Sequence, residues 1–302
     1  MKILATWFRS DLCALALGGL LLGFASNPCW ASMAELQGKY ASLEAQLDQS
    51  PFRRPLVLVS NEAADRLTGD IYAVMDHPFA ALSTQLSDPG HWCDVMILHI
   101  NTKYCKAGVG TPANPAAIVV NVSVGKKTAE VLTEAMRIEF AFAVLTRTPD
   151  YFEVVLSARD GPLGTSDYRL RLRAITLPNS KTFLHLSYSY AANMLGRVAM
   201  QAYLGTAGRG KVGFTTTGTR PDGQPVYIDG MRALVERNAM RYYLAIDSYL
   251  KFTEGLPATQ VEKRLQAWYA AVEQYPRQLH DVEWSDYLQM KRSEVLRQQA
   301  AK

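Results

Sequence analysis

The sequence predicts an α+β fold in which an antiparallel sheet lies against one long C-terminal helix, with further helices at both ends. Three observations predict it. Between Leu67 and Tyr190, apolar residues recur at every second position through run after run, the alternation of half-buried strands. The turns Thr148-Pro149-Asp150 and Pro178-Asn179-Ser180 join such runs too briefly for crossovers, so the neighbours are antiparallel. Finally, Met231–Phe252 places Val235, Ala239, Tyr242, Ile246 and Tyr249 at spacings of four and three, a helical stripe broad enough to lie across a sheet.

In chain order, residues 1–31 have the three-part layout of a secretory signal peptide. Lys2 and Arg9 precede the apolar run Leu12 to Ala25, and Cys29-Trp30-Ala31 offers small residues for cleavage after Ala31. As a helix that run would rise about 21 Å, short of a hydrocarbon core of about 30 Å. The expected location is therefore the periplasm or the cell exterior. An uncleaved anchor or an ordinary first helix is the alternative, kept open by Asp11. Residues 32–55 are a helix, with Leu36, Tyr40, Leu43 and Leu47 on one face, and a proline-flanked connector from Pro51 to Pro55. A domain over 56–254 begins with the strand LVLVS. Strands then follow from the alternations Leu67–Met75, Ile118–Val124, Ile138–Val144, Phe152–Ala158, Leu170–Ala174 and Leu184–Tyr190. A short helix from Pro78 to Ser87 is halted by Asp88-Pro89-Gly90, and another spans about Ala192 to Leu204 before a strand at Lys211–Thr217. An extension over 255–302 carries a helix with Val261, Leu265, Trp268, Val272 and Tyr275 on one face, then a polar helical tail from Trp284.

Composition narrows the function. Against 28 acidic residues, 32 basic ones leave a net charge of +4 over 302 residues, too weak a footprint for a nucleic-acid partner. With 48% hydrophobic and 20% charged residues the chain is globular. After the leader no stretch reaches 18 uninterrupted apolar residues, so no transmembrane helix is expected in the mature chain. In an oxidising compartment Cys93 and Cys105 read as a disulfide; the competing reading is a nucleophilic cysteine with His91 or His99 as its base. The five histidines (77, 91, 99, 185 and 280) form no ligand pair, so no metal is expected, and no motif calls for a cofactor. His185 lies on the strand face opposite Leu184 and Leu186 and is expected in solvent. Gly205 to Lys211 fits G-x-x-x-x-G-K, but Val212 replaces the Ser/Thr and the loop follows a helix, so it reads as a glycine-rich turn. Ser157, Ser187 and Ser189 lack a G-x-S-x-G elbow. Arg169, Arg171 and Arg173 read as a solvated outer face, with a surface for anionic lipid headgroups as the alternative.

The runs Gly69 to Phe79 (GDIYAVMDHPF), Leu82 to Leu86 and Asp88 to Trp92 (DPGHW), with Tyr188-Ser189-Tyr190 leading into a helix, resemble the START-like superfamily over roughly residues 56–254. The resemblance implies a curved antiparallel sheet gripping the long C-terminal helix, with a hydrophobic small molecule or lipid held between them. Tyr188, Tyr190, Tyr242 and Ile246 would supply apolar contact, Asn238 and Arg241 polar orientation, and Cys93–Cys105 would pin the helix-to-strand corner near the cavity mouth. The expected role is transport or presentation of that ligand, with a membrane surface as a further candidate partner and no catalytic residue assigned. Two alternatives stand beside it. One is a cyclase- or dehydratase-type enzyme using Asp94, His99 or Tyr242 for proton transfer. The other is a non-catalytic assembly factor of the cell envelope. The leader, the cysteine pair and the helical extension depart from the simplest family pattern.

Overall fold

The computed structural model describes residues 28–109, 117–206 and 208–300. Most of the expected signal peptide, residues 1–27, lies outside the described residues. Eight strands form one antiparallel sheet: β1 (Leu56–Glu62), β2 (Arg66–Met75), β3 (Thr102–Val109), β4 (Ile118–Val124), β5 (Met136–Arg147), β6 (Tyr151–Asp160), β7 (Thr165–Leu177) and β8 (Lys181–Ala192). Their order is β1-β2-β8-β7-β6-β5-β4-β3, so a meander from β3 to β8 closes against the β1–β2 hairpin. At the β7–β8 turn both Asn179 (φ 60°) and Ser180 (φ 57°) are left-handed, the backbone that matches the twist of a tight hairpin. Register shifts at Thr102/Tyr104, Val144/Thr146 and Ser166/Arg169 mark bulges, which bend the strands and curve the sheet.

The helices are α1 (Pro28–Asp48), α2 (Phe79–Gln85), α3 (Pro89–Met96), α4 (Met194–Gly205), α5 (Gly230–Leu250), α6 (Pro257–Val272), α7 (Pro276–Leu279) and α8 (Trp284–Ala300). The long helix α5 lies on β1, β2 and β8, which is the helix-grip arrangement. Its seat is Gly69. A Cβ there would stand 3.1 Å from both the Ala239 Cβ and the Val235 carbonyl oxygen, so the strand backbone meets the helix directly. Gly69→Leu should therefore prise α5 from the sheet at a cost of about 1–3 kcal/mol. A urea midpoint equal to that of the parent chain would sink this reading of the contact.

The apolar face of the sheet, α5 and the C-terminal helices share one core, in which Leu67, Ile71, Leu172, Leu186, Met240, Leu244, Leu265 and Trp268 are buried. The opposite face is not simply solvated. Leu36, Leu43 and Leu47 of α1 pack there on Tyr151, Ile175 and Phe183. Beneath α1, His185 is 6% exposed, with Nε2 2.8 Å from an Asp70 carboxylate oxygen and Nδ1 3.0 Å from the Arg173 guanidinium. Arg173 pairs with Glu35 of α1 at 2.9 Å and Arg171 with Glu153 at 2.6 Å, so of the basic stripe only Arg169 is exposed. Both expectations for this face, a solvent-facing His185 and an open arginine row, are thus corrected. A helix carrying its own carboxylate returns over a polar face and makes burial of those charges tolerable.

Other differences are local. Asp88-Pro89-Gly90 does end the first short helix, but it also starts the next: the Asp88 carboxylate accepts the Gly90 N–H at 2.7 Å, with Pro89 in the first turn of α3. The strand expected at Lys211–Thr217 is confined to β9 (Thr216–Thr219), paired with β10 (Pro225–Tyr227) in a separate ribbon. The polar tail is the well-packed α8, in which Tyr287 donates to the Leu98 carbonyl at 2.9 Å. Among the described residues no helix is long and apolar enough to cross a membrane.

Cys93 and Cys105 are bonded, joining α3 to β3 across a sequence separation of 12. For a loop of that size, chain entropy puts the stabilisation at about 3 kcal/mol. Reduction should lower the unfolding free energy by about that amount, and an unchanged thermal midpoint in reductant would contradict it.

Candidate functional site

The strand alternation aims Val122 of β4, Ile138 and Phe140 of β5, Tyr168 of β7 and Tyr188 of β8 at the helix side of the sheet. Asn238 and Tyr242, one turn apart on α5, face them, and the corner between α3 and β3 contributes His99 and Asn101. Together these line an open-mouthed cavity of about 170 Å³, rimmed by Gly125, Met136 and Pro162. The rim at Asn101 is tied down: its side-chain amide donates to the Gly125 carbonyl at 2.7 Å, and the Gly125 N–H donates to the Asn101 carbonyl at 2.8 Å.

The walls are aromatic. The His99 ring stacks on Tyr242 at 4.8 Å, Tyr242 meets Tyr188 at 5.2 Å, and Tyr168 stacks on Tyr190 at 5.3 Å. Burial raises the Tyr188 and Tyr242 hydroxyls above their ordinary pKa, so both stay protonated. His99 is 4% exposed, and its Nδ1 accepts the Asn101 N–H at 3.2 Å. Nε2 has no hydrogen-bond partner among the described residues. Burial first, then the cations Arg241, Lys291 and Lys127, hold the imidazole well below its ordinary pKa; Asp281 alone pulls the other way.

Behind this wall lies a buried charge cluster. Asp281 pairs with Arg241 and Lys127, each at 2.6 Å, and with Lys211 at 3.8 Å. Burial pulls its carboxyl upward, but the three cations outweigh that and hold it at about 2. Lys211, the lysine of the glycine-rich segment, also donates to the His280 carbonyl and so is committed to protein acceptors.

Of the six residues expected to contact a ligand, Tyr188, Asn238 and Tyr242 line the cavity. Tyr190 stands behind Tyr168 with its hydroxyl toward the Met200 sulfur at 3.8 Å, and Ile246 is fully buried in the core. Arg241 turns under the C-terminal helices to Asp281, while its other amino group donates to Asn238 Oδ1 at 3.3 Å. Asp94 is elsewhere, 3.7 Å from Arg264. Tyr168 was not singled out in the sequence, although it keeps the phase of Leu170 and Leu172. A wider groove of about 340 Å³ runs between Lys127–Glu130 and α8, but its buried carboxylates are already engaged: Glu294 pairs with Lys103 and Lys291, and Glu130 accepts the Lys126 N–H at 3.0 Å. Among the described residues no group of three or more His, Cys, Asp or Glu is placed to hold a metal.

No protein-family profile matches the chain, and no curated protein matches it in sequence. Among solved structures it is similar to a START superfamily protein from Mycobacterium smegmatis, at 9% identity and a TM-score of 0.32 over 47% of this chain and 88% of that one. It is also similar to human StAR-related lipid transfer protein 5, at 9% identity and 0.30 over 58% and 90%. A third is norcoclaurine synthase from Thalictrum flavum, at 10% identity and 0.32 over 48% and 77%. Overlaps this low say nothing of ligand or chemistry; the helix-grip arrangement stands on the strand order and the seat of α5.

Proposed function

We propose that the chain binds a small hydrophobic molecule in the cavity between sheet and α5 and carries or presents it outside the cytoplasm. The observation that carries this reading is the cavity itself: aliphatic strand residues on one side, tyrosine rings on the other, under the gripping helix. Export is part of the proposal, supported by the leader and by a disulfide of the kind that persists in oxidising compartments. A volume of about 170 Å³ is small beside the roughly 300–1,000 Å³ of drug-sized sites, and favours a compact molecule over a long-chain lipid. Docking on a lipid surface belongs to the same proposal: Leu163, Met194 and Val198 are 64%, 84% and 57% exposed near the Pro162 rim, and vesicle flotation checks it.

An enzyme would need a proton-transfer group in the cavity, and His99 is there; held neutral so far below its ordinary pKa, however, it is a weak base. Mass spectrometry of organic extracts from the purified protein is the test. A co-purifying or exchangeable apolar compound of one or two rings is expected; repeated absence of any such compound would contradict the proposal.

A further inference from the structure

We infer that α1 is a strap released by acid: a proton on Nδ1 of His185 turns that nitrogen against Arg173, breaks the hold of Glu35 on the guanidinium and frees α1 from the sheet face away from α5. The inference concerns the side of the sheet opposite the cavity and does not rest on what the cavity binds. The register sets Tyr72 of β2, His185 of β8, Arg173 of β7 and Glu153 of β6 side by side in one row across that face. The Arg173 guanidinium can only donate, so Nδ1 of His185, 3.0 Å away, accepts, and the ring proton sits on Nε2, which donates to Asp70 at 2.8 Å. The neutral ring is the form that fits. A second proton would set an N–H donor against the Arg173 donors, cation to cation.

Charged and titratable groups face this ring from each element packed on it. Asp70 and Tyr72 lie on β2, with Tyr72 stacked on the imidazole at 4.3 Å. Arg173 and Arg171 lie on β7. Glu35 and Lys39 reach over from α1, Glu35 to Arg173 at 2.9 Å and Lys39 over the Tyr72 ring at 5.1 Å. Glu153 of β6 is taken by Arg171 and by the Tyr151 hydroxyl, each at 2.6 Å. Burial holds His185 below its ordinary pKa; Asp70 opposes that, and Arg173 and Arg171 add to it. Once α1 lifts, the ring meets water and returns toward the ordinary value of about 6.5. The open form then binds the proton more readily, so closure weakens as pH falls below about 6.5. The Arg173 hydrogen bond holds the Glu35 carboxyl below its ordinary range, so Glu35 keeps its charge through that window. The strap can also leave by itself. Its leucines pack with Tyr151, Ile175 and Phe183 in a cluster apart from the main core. The connector behind it stays pinned, since Ser50 donates to the Leu56 carbonyl and Tyr275 to the Phe52 carbonyl, each at 2.7 Å.

Hydrogen exchange of the full chain, read by mass spectrometry and referred to the rate of an unfolded chain at the same pH, measures the opening of α1. Protection of the amides from Leu36 to Leu47 should fall about fivefold between about pH 6.5 and about pH 5.5, while that of α5 stays constant. In His185→Gln, which keeps a donor and an acceptor but does not titrate, α1 should be protected equally at both pH values. Should that variant not fold, Glu35→Gln serves instead, at a side chain 66% exposed. It should lower α1 protection about two- to fivefold at about pH 6.5 and leave α5 unchanged. Protection of α1 that ignores pH in the parent chain, or falls as steeply in His185→Gln, would overturn the inference. So would a fall shared equally by α5, which would mark global unfolding, or parent-like protection of α1 in Glu35→Gln.

Discussion

Asp281→Ala should remove about 3–5 kcal/mol of folding stability, the usual cost of stripping one partner from a buried ion pair. Arg241 is 1% exposed, its Nε already lacks a hydrogen-bond partner, and Asp281 is the carboxylate that faces its other end at 2.6 Å. Without it, Arg241 would be left buried beside Lys127 and Lys211, whose repulsion solvent screens only in part. Asp281→Asn, which keeps an acceptor, should cost less than Asp281→Ala. A loss under about 1 kcal/mol for the alanine variant, read from urea unfolding, would mean that water reaches Arg241. The acid limb follows with its sign. The folded carboxyl sits at about 2 against an ordinary 3.8, so its contribution is complete above the unfolded value and lost as pH falls from about 4 toward 2. Asp247, held at about 2 by His77, Lys251 and Arg54 against its own burial, follows the same course. In Asp281→Ala the fall in stability between pH 4 and 2 should be shallower than in the parent chain.

Trp268→Ala should cost a similar amount, about 3–5 kcal/mol, because a fully packed indole leaves a cavity that its neighbours cannot collapse into. Trp268 is 1% exposed, stacks on Tyr287 at 5.1 Å and donates through Nε1 to the Arg241 carbonyl at 3.2 Å, so it locks α6 to both α5 and α8. The effect should reach the candidate site. Through Lys291, α8 holds the His99 carbonyl at 2.7 Å, so loosening α8 frees the corner that presents the imidazole. Leu296→Ala on the same helix, at a residue 66% exposed, should change stability by no more than about 0.5 kcal/mol. Equal effects of the two variants would show that α8 is only loosely applied.

Strand phase was legible because one sheet face is almost wholly apolar, and the stripe on α5 was legible for the same reason. Alternation says which side a residue faces, not what covers that side. That is why His185 and Arg173 read as solvent-facing until α1, with Glu35, closed over them. It also hid β3, where Lys103 is 0% exposed at a position an apolar residue would ordinarily mark; its partner Glu294 lies 191 residues away. At the site, Tyr188 and Tyr242 could be placed by phase alone. Arg241 could not, since its direction is set by Asp281, beyond the helix turn that any local pattern samples. His99 drew attention as a titratable group near the cysteine pair, but its tautomer depends on the Asn101 backbone, which no side-chain pattern encodes.

The central claim, a binding cavity between the sheet and α5, is tested most directly by methyl NMR of the full chain titrated with toluene. Saturable shifts of the Val122, Met136 and Ile138 methyl groups, lost when Ile138→Trp fills the space, are the expected result. Shifts absent there, or confined to methyl groups outside the cavity such as Leu296, would contradict it.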